Sequence, residues 1–276
     1  MTEPTYQFGR TKVNRFDLYE LAVQDPPLQA RFLQAVHARN PHILTEDFSG
    51  PASVARAWLA LAPDHKAIAV DRDDVPLRHA VERLTQALPD RLADFTIRER
   101  DVLEVKDKTD IIAALNFACC ELLTRKHLLT YLRAALYRLQ PNGVLVLDTY
   151  GGSDAFIPGI SEQIIDTEHG ELTYRWEQRA ADPATSRVQN AIHFELPKRI
   201  RVDNAFVYDW RLWSPAEIRD AMHDAGFRTT EVYASYGDAI DEDGALMIHP
   251  ISRDAQPITF DADLDDQWVL YIVGRA

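Results

Sequence analysis

From His42 to Tyr150 the chain alternates short apolar strands with amphipathic helices, and no other feature constrains its fold as much. "HILTED" reads as a strand and "SVARAWLALA" as a helix. "KAIAVD" is a second strand, followed by helical "PLRHAVERLTQAL". "DFTIRERDVL" and "DIIAALNF" are the next two strands. "RKHLLTYLRAALYRL" carries apolar residues three and four apart, is stopped by "QPNG", and leads into the buried strand "GVLVLDTY". Strands that alternate with helices form a parallel, doubly wound sheet with right-handed crossovers.

The rhythm changes after Tyr150–Gly152. "ELTYRWEQR", "RVQNAIHFEL" and "RIRVDNAFVYDWRLW" are strand-like with no helix between them, which predicts an antiparallel meander. Helix returns in "SPAEIRDAMHDAGF", where Ser214 and Glu217 form a capping box. "RTTEVYAS" and "QWVLYIVGR" complete the sheet. Between these two lies an acidic, proline-bearing stretch from about Gly237 to Asp266, too long for a bare connector. Ahead of the first strand, Pro26–Pro27 breaks an amphipathic segment into two short helices. The expected division is a helical lid over 1–40, a ligand-binding domain over 41–162 and 214–276, and an inserted sheet over 163–213.

At 276 residues and 46% hydrophobic, the chain can bury a full core. A formal net charge of -13 argues against a broad grip on nucleic acid, which needs clustered Lys and Arg. No apolar run approaches the ~20 residues that span a bilayer, so no membrane partner is expected. "MTEPTYQFGRTKVNRF" lacks a signal-peptide core, and adjacent Cys119 and Cys120 fit neither metal spacing nor an ordinary disulfide. A cytoplasmic protein with reduced thiols is the expectation. "DRDD" and "DEDG" do not continue as metal loops, and no G-x-S-x-G elbow is present.

In open parallel sheets, ligands bind outside the carboxyl ends of the strands, so "TEDFSGPAS" lies where a nucleotide would sit. Gly50 permits close backbone approach, and the amides opening the next helix are free donors. A pyrophosphate loop would read G-x-G-x-x-G. Here Phe48, Pro51 and Ala52 stand in such places and two acids precede them. That mouth disfavours phosphate and favours a cation, which points to a positively charged nucleoside without phosphates.

With those residues in view, the chain resembles the class I S-adenosylmethionine-dependent methyltransferases over about 41–150 and 214–276. The resemblance implies a doubly wound, seven-stranded Rossmann-like α/β sheet with an inserted antiparallel β-meander, and S-adenosyl-L-methionine as cofactor. Glu46 matches the acid ending the family's first strand. Phe48, Gly50 and Ala52 match its three loop glycines, of which only Gly50 is kept; Ser49 lies within the same loop. Asp71 matches the carboxylate that takes the ribose hydroxyls, with Arg72 beside it. Asp101 matches the acid that takes the adenine amino group, and the Val102 amide meets a ring nitrogen. Asn116 and Phe117 lie beside the methionine portion, and Tyr19 with Glu20 would overhang it. Each Asp, taken alone, is more commonly a helix cap or a solvated turn. "YELAVQ", "NFACCEL", "LDTYGG", "YRWEQ" and "YDWRLWSPAEIRDAMHDAGF" extend the likeness to a poorly characterised branch. Glycine and amino-sugar N-methyltransferases, more distant, also insert an antiparallel sheet over the acceptor.

The implied reaction is in-line methyl transfer to a small molecule, an amine or carboxylate-bearing metabolite, with no catalytic residue assigned. Such transfer depends mainly on orientation and exclusion of water. Tyr150, Trp176, His193, Tyr208, Trp210 and Arg211 are the candidate acceptor-binding residues. Rings that alternate on strands are equally ordinary core, and a lone strand histidine is more often structural. The inserted sheet is the expected surface for a homodimer. Rival readings are another chemistry on the same cofactor, or a sensor that binds without turnover; a nicotinamide oxidoreductase is disfavoured by the missing phosphate loop.

Overall fold

The computed structural model describes residues 3–234, 249–254 and 266–276, which fall into two compact units. The smaller comprises Met1–Asp25 and Asp154–Leu212, the larger Pro26–Ser153 and Trp213–Ala276.

The smaller unit opens with a hairpin, β1 (Tyr6–Phe8) and β2 (Thr11–Val13), and helix α1 (Arg15–Val23). Asn14 caps α1, its side chain taking the Phe16 and Asp17 amides while Asp17 takes the Asn14 amide. The larger unit then runs α2 (Pro26–His37), β3 (Ile43–Asp47), α3 (Ser53–Leu61), β4 (Lys66–Asp71), α4 (Asp74–Ala87), β5 (Phe95–Glu99), β6 (Thr109–Ala114), α5 (Arg125–Arg138) and β7 (Leu139–Gly151). The smaller unit resumes with β8 (Gly159–Thr167), β9 (Gly170–Asp182), β10 (Arg187–Leu196) and β11 (Ile200–Arg211), an antiparallel sheet in the order β11-β10-β9-β8. The larger unit ends with α6 (Pro215–Ala225), β12 (Thr229–Tyr233), β13 (Ser252–Arg253) and β14 (Trp268–Arg275).

The sheet of the larger unit has the order β13-β12-β14-β7-β6-β3-β4-β5. Strands β3 to β7 are mutually parallel, and β14 lies antiparallel to β7. From β3 the chain moves outward through β4 to β5, then returns to the other side of β3 with β6. Strand order therefore reverses between β3 and β6, which opens a crevice at their carboxyl ends. The central strands carry buried apolar runs, with Ile111–Ala114 and Val144–Leu147 fully buried, because helices cover both faces. Trp58, Leu59, Phe32 and Leu33 lie in the core cluster that includes Leu44, Ile111 and Val144 of the sheet.

Two charges are sealed in this core. Asp47, the last residue of β3, meets Arg138, the last residue of α5; their side chains are 0% and 1% exposed. Arg138 Nη1 lies 3.1 Å from one Asp47 oxygen and its second Nη reaches the other, where the Tyr131 hydroxyl also donates at 3.0 Å. Burial works against the guanidinium charge, but the Asp47 charge and hydrogen bonds outweigh it and hold Arg138 above its ordinary value.

The structure departs from expectation in several places. Among the described residues the larger sheet has eight strands, the additional one being the two-residue β13 at its edge. The inserted sheet has four strands and opens at Gly159 rather than at 163. Strand β8 was not legible because six of its first residues are exposed, Ile160 and Ile164 included, so no half-buried alternation marks it. The segment 1–40 is divided, with the hairpin and α1 in one unit and α2 in the other. Most of the acidic stretch from Gly237 to Asp266 lies outside the described residues.

Replacing Arg138 by Met should strand a buried carboxylate and cost roughly 3–5 kcal/mol of stability. The double change Asp47→Asn with Arg138→Met should recover a large part of it. Urea denaturation of the two variants checks this; equal midpoints for the single variant and the parent would refute it.

Candidate functional site

The turn after β3 holds the backbone of a glycine loop with little glycine. Phe48, Gly50 and Ala52 all adopt the left-handed region, at φ 53°, 50° and 52°. For Phe48 and Ala52 this costs on the order of 1–2 kcal/mol each, so surrounding contacts must enforce it. Those contacts are visible. The Gly50 amide donates to the Asp71 carboxylate (2.7 Å), the Ser49 amide to the Val70 carbonyl (2.9 Å), and the Ala52 amide to the Ser49 carbonyl (2.8 Å). The buried Glu46 carboxylate takes the Ala55 amide at 2.7 Å and so tethers the first turn of α3. Phe48 packs edge-on against Tyr131, with ring centroids 5.4 Å apart.

A cavity of about 470 Å³ opens beside this turn, at the carboxyl ends of β4 and β5. Phe48, Asp71, Arg72, Asp101 and Val102, all expected at the site, line it. Five further residues line it that the sequence reading did not select: Asp73, Asp74, Glu99, Arg100 and Glu121. Six carboxylates thus face two guanidiniums, an arrangement hostile to phosphate and hospitable to a cation. The acids responsible are not the expected pair, because Glu46 and Asp47 are buried behind the turn and engaged with α3 and Arg138.

Asp71 is held from two sides. One oxygen takes the Gly50 amide, the other takes the Asp73 amide at 3.0 Å, and each retains a lone pair for a further donor. Arg72 lies 3.9 Å from both Asp101 and Glu121, a bridge across the cavity. Although nearly half of the Glu121 side chain is exposed, the cavity walls desolvate its carboxyl and push its pKa up; the Asp71 charge adds to this and Arg72 opposes it. Ser49 and Gly50 form the turn itself. A Cβ added to Gly50 would meet nothing within 4 Å, so the space against its backbone is open. Asn116 and Phe117 end β6 in a second left-handed turn, at φ 58° and 63°, and Phe117 packs on Tyr150 with centroids 4.8 Å apart.

The smaller unit separates the remaining candidates. Trp176, Tyr208 and Trp210 share one face of its sheet: Trp210 lies 4.1 Å from Tyr208 and 6.0 Å from Trp176, centroid to centroid. On the same unit, Tyr19 of α1 packs on Phe206 at 5.0 Å. His193 and Arg211 alternate with these rings and occupy the opposite face. There His193 Nδ1 accepts the Asn204 amide (3.1 Å) and Nε2 lies 3.1 Å from Glu177, so both ring nitrogens are already engaged. Among the described residues no group of three His, Cys, Asp or Glu side chains could hold a metal ion, and no helix is long and apolar enough to cross a membrane.

No protein-family profile matches the sequence, and no curated protein matches it. Solved structures do. A S-adenosylmethionine-dependent methyltransferase from Clostridium acetobutylicum superposes with a TM-score of 0.65 at 16% identity, over 94% of this chain and 96% of that one. The CcbJ methyltransferase of Streptomyces caelestis gives 0.66 at 16% identity, over 92% and 97%. DesVI of Streptomyces venezuelae gives 0.67 at 15% identity, over 96% and 99%. The fold is therefore that of the class I methyltransferases, along nearly the whole length of each.

One residue that the sequence reading passed over organises the second turn. Asp148, on β7, is 3% exposed and takes the Asn116 amide at 2.8 Å and the Phe117 amide at 2.6 Å. It follows an apolar strand just as Asp71 does, so the same signal could have found it. Burial raises its pKa to about 7, against the pull of the two amides. Its folded value lies above the ordinary one of 3.8, so between these two values the folded protein holds a proton that the unfolded chain releases. Stability should accordingly fall as pH rises from about 4 to 7, by at most roughly 4 kcal/mol from this group. Asp148→Asn should flatten that part of the profile. Urea midpoints across this range test it, and an unchanged slope in the variant would exclude Asp148 as its source.

Proposed function

We propose that this protein is a methyltransferase that uses S-adenosyl-L-methionine to methylate a small-molecule acceptor. The observation that carries the reading is Asp71, at the end of β4, facing an acid-walled cavity beside the open backbone of Gly50. The spare lone pairs of Asp71 suit two ribose hydroxyls, and Asp101 with the Val102 amide suits an adenine edge. The excess of carboxylates suits a sulfonium cation and repels a pyrophosphate. Asn116 and Phe117, fixed by Asp148, would meet the methionine end. Bound there, the cofactor supplies an electrophilic methyl on a good leaving group. The chain's own contribution is orientation and exclusion of water, which suffices for a displacement with dispersed charge.

The acceptor, in this reading, is held by the ring-bearing face of the smaller unit. Trp176, Tyr208 and Trp210 offer a mostly apolar wall with polar tips, the usual make-up of a small-molecule pocket. An amine acceptor must arrive neutral, and the partners of both His193 ring nitrogens favour a base other than His193 in this reading. Arg211, on the opposite face from the rings, is likewise set apart from that wall.

Calorimetry should register binding of S-adenosylmethionine and of its demethylated product, and none of NAD. Asp71→Ala should weaken the cofactor at least about tenfold, through loss of charge-assisted hydrogen bonds and of the Gly50 anchor. Asp71→Asn, which keeps an acceptor for Gly50, should lose less. NAD binding with neither nucleoside bound would sink the proposal.

Incubation with methyl-labelled cofactor and fractionated metabolites should then transfer label to a small molecule; consumed cofactor without transfer, or binding alone, would favour the rival readings. Trp176→Ala should depress that transfer while leaving the cofactor dissociation constant nearly unchanged. Loss of both together would mean that the ring face serves folding alone.

A further inference from the structure

A second cavity, of about 350 Å³, lies at the opposite end of the large sheet, among the loops around the start of β7 and β12 and the end of β14. His37, Arg39, Arg228 and Arg275 line it together with Asn142 and Ala276, and among the described residues no acidic side chain does. In a chain with a formal net charge of -13, three guanidiniums converging on one hollow are not a statistical accident of composition.

Two of the three arginines are fixed from behind. Arg275 is tied to the Val36 carbonyl (2.9 Å) and to Glu231 (2.6 Å). Arg228 is tied to a main-chain oxygen of Ala276, the last residue of the sequence, its Nε at 2.8 Å. A guanidinium has five N–H donors, so each anchored arginine keeps others to offer without further loss of side-chain freedom. Arg39 is exposed and has no hydrogen-bond or ion-pair partner among the described residues. His37, at the end of α2, is 8% exposed, and its Nδ1 is buried without a hydrogen-bond partner. Burial lowers its pKa most; Asp110 acts the other way, and the charges of Arg275 and Arg39 lower it further.

From this geometry we infer a second ligand site, for the phosphate group of a small phosphorylated molecule, at the end of the sheet remote from the proposed cofactor cavity. A carboxylate occupies one guanidinium fork, whereas a phosphate dianion offers oxygens to several at once. The hollow is larger than a lone phosphate, which leaves room for an organic body.

Glycerol phosphate, inorganic phosphate and citrate, titrated separately into the full chain by calorimetry at low ionic strength, test the assignment. The phosphate ester should bind with a dissociation constant of about 1 mM or tighter. Binding by inorganic phosphate with equal strength would identify the free ion as the ligand of the same site. Arg39→Gln, a change at an exposed residue without partners, should weaken either ligand about tenfold. Arg133→Gln, at an exposed arginine of α5 outside this cavity, should not. S-adenosylmethionine binding should be the same in both variants, so this test stands apart from that of the proposed function. Citrate bound in preference to both phosphates, no heat from any of them, or equal losses in the two variants would overturn the inference.

Discussion

The contact between Asp47 and Arg138 joins the three pieces on which the site is built. Asp47 ends β3, and Phe48, the first residue of the strained turn, follows it directly. Arg138 ends α5 at the point where the chain enters β7, the strand that carries Asp148. Tyr131 adds its hydroxyl to the same carboxylate and its ring to Phe48. A buried ion pair is seldom a net source of stability, since desolvation of both partners consumes most of the attraction. Its effect here is positional: a shift of α5 along the sheet would leave two buried charges unpaired, so the register of helix, strand end and turn is held together.

The strained turns are explained by the same kind of group. Four residues other than glycine take left-handed backbone at the carboxyl edge of the parallel strands: Phe48, Ala52, Asn116 and Phe117. Carboxylates pin the segments that contain them, Asp71 through the Gly50 amide, Glu46 through Ala55, and Asp148 through Asn116 and Phe117. A glycine loop reaches such a shape through its own freedom; this chain reaches it by hydrogen bonds from backbone amides to carboxylates on the strands. That accounts for a nucleotide-type turn with a single glycine at its centre.

The alternation of strands and helices was legible because buried parallel strands leave long apolar runs and their helices a 3.6-residue period. The strand-end acids Asp71 and Asp101 were legible for a related reason, since an acid that closes an apolar run is conspicuous. Partnership was not. Nothing in "TEDFSG" says that Asp47 faces Arg138, ninety-one residues on, instead of the cavity, because side-chain direction at a strand end depends on the whole sheet. The faces of the inserted sheet were not legible for the same cause. His193 lies close to the rings in sequence pattern, yet an alternation set by the pairing of three strands turns it to the other side. Strand β8 was missed because it is an exposed edge with no buried side to leave a pattern.

The average charge of the chain conceals a separation within the larger unit. Six carboxylates gather at the carboxyl ends of β4 and β5, and three guanidiniums with a histidine gather at the other end of the sheet. Salt screens such fields over about 8–10 Å, so each cavity presents its own potential to a ligand at its mouth, with little correction from the other. A cationic nucleoside and an anionic metabolite would therefore be sorted between the two ends before either made a specific contact. Net charge alone predicts repulsion of every anion. Arg228 and Arg275, held from behind by Ala276, Val36 and Glu231, are anchored within the protein, while donors not used in those bonds remain.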